Sequence, residues 1–123
     1  MLEIHQRNDI NGYSGYLNEF GLSANESKII EAFDNNKVIG FAIFMYHDDN
    51  VKIFYVDYND DKYLCDGLIR TILFKASLLG IDKAEFLMSD IKLIEDLGFV
   101  QKGHNGLVSI QSVMNGCKSC KNS

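Results

Sequence analysis

The 123-residue sequence has no proline and no tryptophan, only three cysteines, and no apolar run longer than the nine residues from Val38 to Tyr46. A helix crossing a bilayer needs about 20 apolar residues, so no segment reads as a membrane span. Met1-Leu2-Glu3 opens without the basic and apolar stretches of a secretory leader. Basic residues are also in short supply: 12 Lys+Arg stand against 17 Asp+Glu, giving a net charge of −5. A duplex nucleic-acid binder needs a basic face to neutralise phosphates, and an anionic membrane surface attracts the same kind of face, so neither partner is expected. An odd cysteine count without a leader argues against a disulfide framework and for reduced thiols, so the expected compartment is the cytoplasm. What is present is the balance of an ordinary globular chain, 46% hydrophobic and 24% charged, which excludes disordered, collagen-like and fibrous classes. At this length one domain with one core is expected. It should cover residues 1–115, followed by a short polar tail over 116–123.

The periodicity predicts the order of elements. Leu2 to Gln6 reads as a strand, and Tyr13, Tyr16, Leu17 and Phe20 fall at helical spacing before Gly21. Ser27 to Phe33 and Lys37 to His47 read as strands joined by an Asn35-Asn36 turn, since Asn tolerates positive φ better than most residues. The second of these strands is apolar on both faces, as expected of one covered from two sides. Val51 to Tyr58 is the next strand. From about Lys62 to Leu79 the period changes: Leu64, Leu68, Ile69, Ile72, Leu73, Ala76 and Leu79 form one helical face, with Gly80 placed as a cap. Lys83 to Met88 follows as a strand parallel to the one before the helix. Ile91 to Leu97 is a short helix, and Phe99 to Lys102 with Leu107 to Val113 reads as a closing strand pair. The expected fold class is α+β, a mixed and mostly antiparallel sheet with helices on both faces.

Three stretches carry a family resemblance. "VIGFAIF" followed by "VKIFYVDY", then "LIRTILFKASLLGIDKAEF", then "LIEDLGF" at Leu93 to Phe99 occur in that order. Together they resemble the GNAT superfamily of acyl-CoA-dependent N-acyltransferases over roughly half the chain. The resemblance implies acetyl-CoA as acyl donor, bound by the loop and helix start that follow Tyr58, where backbone amides and the helix dipole favour the pyrophosphate. Carried onto this chain, the cofactor contacts fall on Asp61, Lys62, Tyr63, Leu64, Cys65 and Asp66. The backbone near Val56 would polarise the thioester carbonyl, and an amine would attack directly. This loop reads "DYNDDKYLCDG": the family's arginine falls near Asp60 or Asp61, and its two glycines near Tyr63 and Cys65. The proline that members often carry after "VDY" is missing as well. The tyrosine that many members use to protonate the departing thiolate becomes Ile94. Tyr55 and Tyr58, with Asp57, are the substitutes at the strand end.

The remaining polar residues offer less. His5, His47 and His104 stand singly, without metal-ligand spacing. Cys117 and Cys120 form a Cys-x-x-Cys pair in the tail, which supplies two soft ligands or a redox pair where a structural zinc wants four. The function expected is an acetyl-CoA-dependent N-acetyltransferase acting on a small-molecule or peptide amine. The alternative is a GNAT-fold binding or interaction module without catalysis, with a thiol or metal role for the tail. A strand over Leu107 to Val113 would leave an edge that a second subunit could pair with, which allows a homodimer.

Overall fold

The computed structural model describes residues 2–107 and 109–114. Its centre is a six-stranded sheet whose spatial order follows the chain: β1 (Leu2–Gln6), β2 (Lys28–Asp34), β3 (Lys37–His47), β4 (Asn50–Asp57), β5 (Lys83–Phe86) and β6 (Gly106–Leu107). Neighbours pair antiparallel except β4 and β5, which are parallel because the helix α2 (Lys62–Leu78) crosses over between them. Helix α1 (Ser14–Phe20) covers one face, while α2, α3 (Ile91–Asp96) and α4 (Ile110–Met114) supply buried residues to the cluster on the other. Helices therefore lie on both faces, as the sequence predicts.

Burial on both faces explains the uninterrupted apolar run of β3. Phe41 and Ile43 pack with Leu17 of α1, whereas Ala42 and Phe44 alternate into the cluster beneath α2. The Asn35-Asn36 turn has φ of 54° and 68°, the left-handed pair that matches the twist of a two-residue hairpin. At the end of α2, Gly80 takes φ 82°, and Ile81 and Gly80 donate back to the carbonyls of Ala76 and Ser77. That closes the helix with a glycine cap at the predicted place.

The closing strand pair is a correction. Among the described residues of this segment only Gly106–Leu107 pairs with β5, and Ile110–Met114 is helical. The Ile110 amide donates to the Asp82 carbonyl at 2.7 Å and the Gln111 amide to the Asp82 carboxylate at 2.9 Å, so a distant residue satisfies the amides that begin this helix. Phe99 to Lys102 is irregular: the Phe99 amide closes α3 onto the Ile94 carbonyl. Of the edge expected over Leu107 to Val113, only Leu107 is strand among the described residues. The Cys117 and Cys120 pair lies outside the described residues. No helix among the described residues is long and apolar enough to cross a membrane.

Candidate functional site

The site is built on an irregularity in β4. Tyr55 pairs with Ile43 and Ile53 with Phe44, so Phe54 is an extra residue, a β-bulge. Val51, Ile53 and Val56 all join the cluster on the α2 side, while Tyr55 joins the α1 side. The step of three from Ile53 to Val56 breaks the two-residue alternation, and the continuous apolar run Ile53-Phe54-Tyr55-Val56 hides it in the sequence. A bulge bends and twists its strand. Beyond it, β4 parts from β5: the parallel pairing ends at Ile53 opposite Phe86, and the last bond runs from the Leu87 amide to the Ile53 carbonyl at 2.8 Å. From Phe54 to Asp57, β4 has no strand partner on that side among the described residues.

A depression of about 340 Å³ follows this unpartnered edge, bordered by Tyr55 through Asp60. A larger groove of about 700 Å³ lies on the α1 side, between α1 and the start of β3, with Tyr13, Tyr16 and Phe41 among its walls. The two share Asp57 and Asn59. Asp57 thus stands where a backbone edge and an aromatic groove meet, its carboxylate accepting from the Asn59 amide at 3.3 Å.

The loop after β4 turns through Asn59 and Asp60 at φ 51° and 56°. It delivers Asp61 as the N-cap of α2, whose carboxylate accepts from the Tyr63 amide at 3.0 Å and the Leu64 amide at 3.3 Å. Those amides are donors that an anion would otherwise use. The expected cofactor residues therefore divide. Asp61 occupies two donors, Lys62 and Tyr63 are exposed at the helix start, and Asp66 pairs with Arg70 one turn along at 3.0 Å. Leu64 and Cys65 point into the core, and Val56 is buried with only its backbone at the edge. Burial, with Asp90 and Asp66 nearby, pushes the Cys65 thiol up to about 12.

Tyr55 and Tyr58 both border the depression, but their rings lie on opposite faces. Tyr55 stacks on Tyr16 at 5.3 Å between centroids and contacts Phe20 and Phe41, with Asp57 and Glu19 close enough to act on its hydroxyl. Tyr58 packs toward the α2 side and donates its hydroxyl to Asp90, the residue preceding α3. That bond, with partial burial, pushes the Tyr58 hydroxyl up to about 12. Ile94 is fully buried and cannot act as a proton donor.

Two carboxylates escape sequence reasoning. Asp90 carries no local signal, because its partner is 32 residues away. Glu31 does carry one, a lone acid among Ile29, Ile30, Ala32 and Phe33. Although only 5% exposed, it is held by Arg7 at 3.2 and 3.3 Å and by the Tyr13 hydroxyl, which stiffens the side of the groove nearest α1. Burial, and next the Glu31 bond, raise the Tyr13 hydroxyl well above the ordinary phenol range. Among the described residues no group of three His, Cys, Asp or Glu could hold a metal ion.

Solved structures share this architecture. An IAA acetyltransferase from Bacillus cereus ATCC 14579 superposes with a TM-score of 0.66 at 15% identity, over 81% of this chain and 77% of its own. The ribosomal-protein-S18-alanine N-acetyltransferase from Escherichia coli gives 0.63 at 15% identity, over 89% and 95%. A GNAT family acetyltransferase from Elizabethkingia anophelis with acetyl-CoA bound gives 0.60 at 14% identity, over 80% and 76%. No protein-family model matches the chain, and no curated protein matches it in sequence.

Proposed function

Because the chain has the GNAT fold, we propose that it is an acetyl-CoA-dependent N-acetyltransferase that transfers the acyl group directly to an amine. The observation that carries this reading is the Phe54 bulge with the parting of β4 from β5, which leaves a strand edge free to hydrogen-bond an extended ligand. Bound acetyl-CoA would supply a thioester as the acyl donor.

The chain's own groups fit such a donor in two ways. The backbone of β4 beyond Phe54 provides fixed dipoles for an acyl oxygen. The start of α2, with Lys62, provides amides and a positive charge for phosphates, in competition with the Asp61 carboxylate that now takes two of those amides. Asp57, shared by depression and groove, is placed to hold an ammonium and to take the proton the amine loses on attack. Tyr58 keeps its hydroxyl protonated through the physiological range and donates that one proton in its hydrogen bond to Asp90 on the α2 side of the cleft, so it reaches a leaving group only by exchanging that bond. The aromatic groove would receive the body of a small-molecule or peptide amine, its cationic head favoured by ring faces.

A second reading rests on Asp61. Its carboxylate caps α2 and places negative charge where a pyrophosphate would sit, which is the arrangement of a binding or interaction module that no longer takes the cofactor. Calorimetry with acetyl-CoA, followed by CoA release over a panel of amines, separates the two. Binding with turnover supports the transferase. No heat at millimolar acetyl-CoA overturns it, and binding restored in Asp61→Asn alone favours the second reading.

A further inference from the structure

The sheet has two edges, and they are built differently. Among the described residues β6 is only two residues long, which blunts its edge. β1 is five residues long, contains neither proline nor lysine, and runs in unbroken register against β2. Among the described residues no bulge or covering element protects it, and Glu3 is its one acidic side chain.

The hydrogen-bonding direction of β1 follows from its end. The Arg7 amide donates to the Ile29 carbonyl at 2.9 Å, continuing the register of Gln6 opposite Ile30. In an antiparallel ladder the direction alternates along the strand, so Glu3 and His5 turn their backbone groups toward β2. Leu2, Ile4 and Gln6 then turn theirs outward, and among the described residues no strand takes them.

This edge is complementary to itself. A two-fold axis at Ile4 sets Ile4 opposite the partner's Ile4 and Leu2 opposite the partner's Gln6, all at positions where outward backbone groups exchange bonds. Glu3 then stands opposite the partner's His5 in the closely spaced, non-hydrogen-bonded position, where cross-strand side chains interact most. Glu3 and His5 already contact each other at 2.9 Å within one chain, so both sit on one face and present an alternating acid and base to the copy. On the other face the half-buried Ile4 packs on the core, and Leu2 is 51% exposed, an apolar contribution at and beside the axis. Moving the axis to Glu3 or to His5 would still let outward groups exchange bonds, but it would set Glu3 opposite Glu3 or His5 opposite His5 and lose the acid–base pairing.

We propose that β1 is a homodimerisation edge, at which two copies pair antiparallel about Ile4 and join their sheets into one. The pairing is independent of acyl transfer, since β1 lies three strands from the β4 cleft.

The test is sedimentation equilibrium of the full chain from about 1 μM to about 1 mM, a range that covers edge-pairing affinities. The unaltered chain should show a monomer–dimer equilibrium. His5→Glu opposes like charges at both symmetric positions and should weaken association about tenfold. Glu3→Lys combined with His5→Glu restores opposite charges and should recover it, with unchanged circular dichroism in both variants. A monomer throughout the range overturns the proposal. So does a dimer whose affinity ignores His5→Glu, because the contact must then lie elsewhere, as on the exposed Phe74 and Leu78 of α2.

Discussion

The hydroxyl of Tyr58 donates to the carboxylate of Asp90, tying the end of β4 to the start of α3 across the gap where β4 and β5 part. The strands separate at Ile53 and Phe86, and this bond fixes how far apart their continuations stand. It is also why the tyrosine stays neutral: an ionised phenol beside Asp90 would give up the hydrogen bond and add repulsion.

Tyr58→Phe should therefore cost about 1 kcal/mol of stability at neutral pH, the loss of one partly exposed hydrogen bond to a charged group. The folded-state value lies above the ordinary 10.0, so the contribution is complete below pH 10 and disappears as pH rises toward about 12. Urea unfolding of both proteins between pH 8 and 12 checks this. The two stability curves should converge at the alkaline end; parallel curves would contradict the assignment.

Asp61→Asn should leave α2 capped, because Asn accepts from the same amides nearly as well, and stability should change by less than about 0.5 kcal/mol. Removing the charge should tighten coenzyme A binding by about tenfold, near the upper end for one charge at a helix start. Isothermal titration with coenzyme A reads the difference, and weaker binding in the variant would show that Asp61 assists the cofactor.

Gly40→Ala should be strongly destabilising. A Cβ there would lie 2.6 Å from the Asp57 carbonyl oxygen and 2.9 Å from Cδ2 of Leu64, so backbone at the cleft must move. Overpacking of this kind costs about 1–3 kcal/mol. Gly67→Ala is the control: its Cβ would meet only Cδ1 of Ile4 at 3.8 Å inside α2, and helix propensity should make it stabilising by up to about 1 kcal/mol. Thermal melts of the pair should shift in opposite directions.

Cys65 should be chemically silent while the protein is folded. The side chain is fully buried and its thiol is held near 12 by burial first and by neighbouring Asp90 and Asp66 next. In a Cys117→Ser, Cys120→Ser background, a disulfide reagent at pH 8 should release no colour until guanidinium is added, and then one equivalent. Rapid reaction of the native variant would mean the α2 start opens readily.

Much of this was legible along the chain. The apolar stripe of α2, the Asn35-Asn36 turn, the Gly80 cap and the doubly buried β3 are consequences of local spacing and backbone preference, which a sequence displays directly. The helix at Ile110–Met114 reads as a strand in the sequence because apolar residues at Leu107, Ile110 and Val113 are ambiguous over so short a run. A local hint was there in Ser109, whose hydroxyl accepts from the Ser112 amide at 3.3 Å as a cap would. The decisive amide partner, Asp82, is remote.

The sequence by itself determined the order of elements as far as α3, the GNAT-like arrangement they build, and the acidic loop that replaces its glycines, because each depends on residues close together in the chain. Only the tertiary structure decided what the site contains. It placed the Phe54 bulge that puts Val56, rather than Tyr55, on the same face as Ile53. It also brought Asp90 to Tyr58 and set Asp57 between two cavities. Those relations join residues on different elements, so their geometry is fixed by packing across the sheet and leaves no period in the sequence.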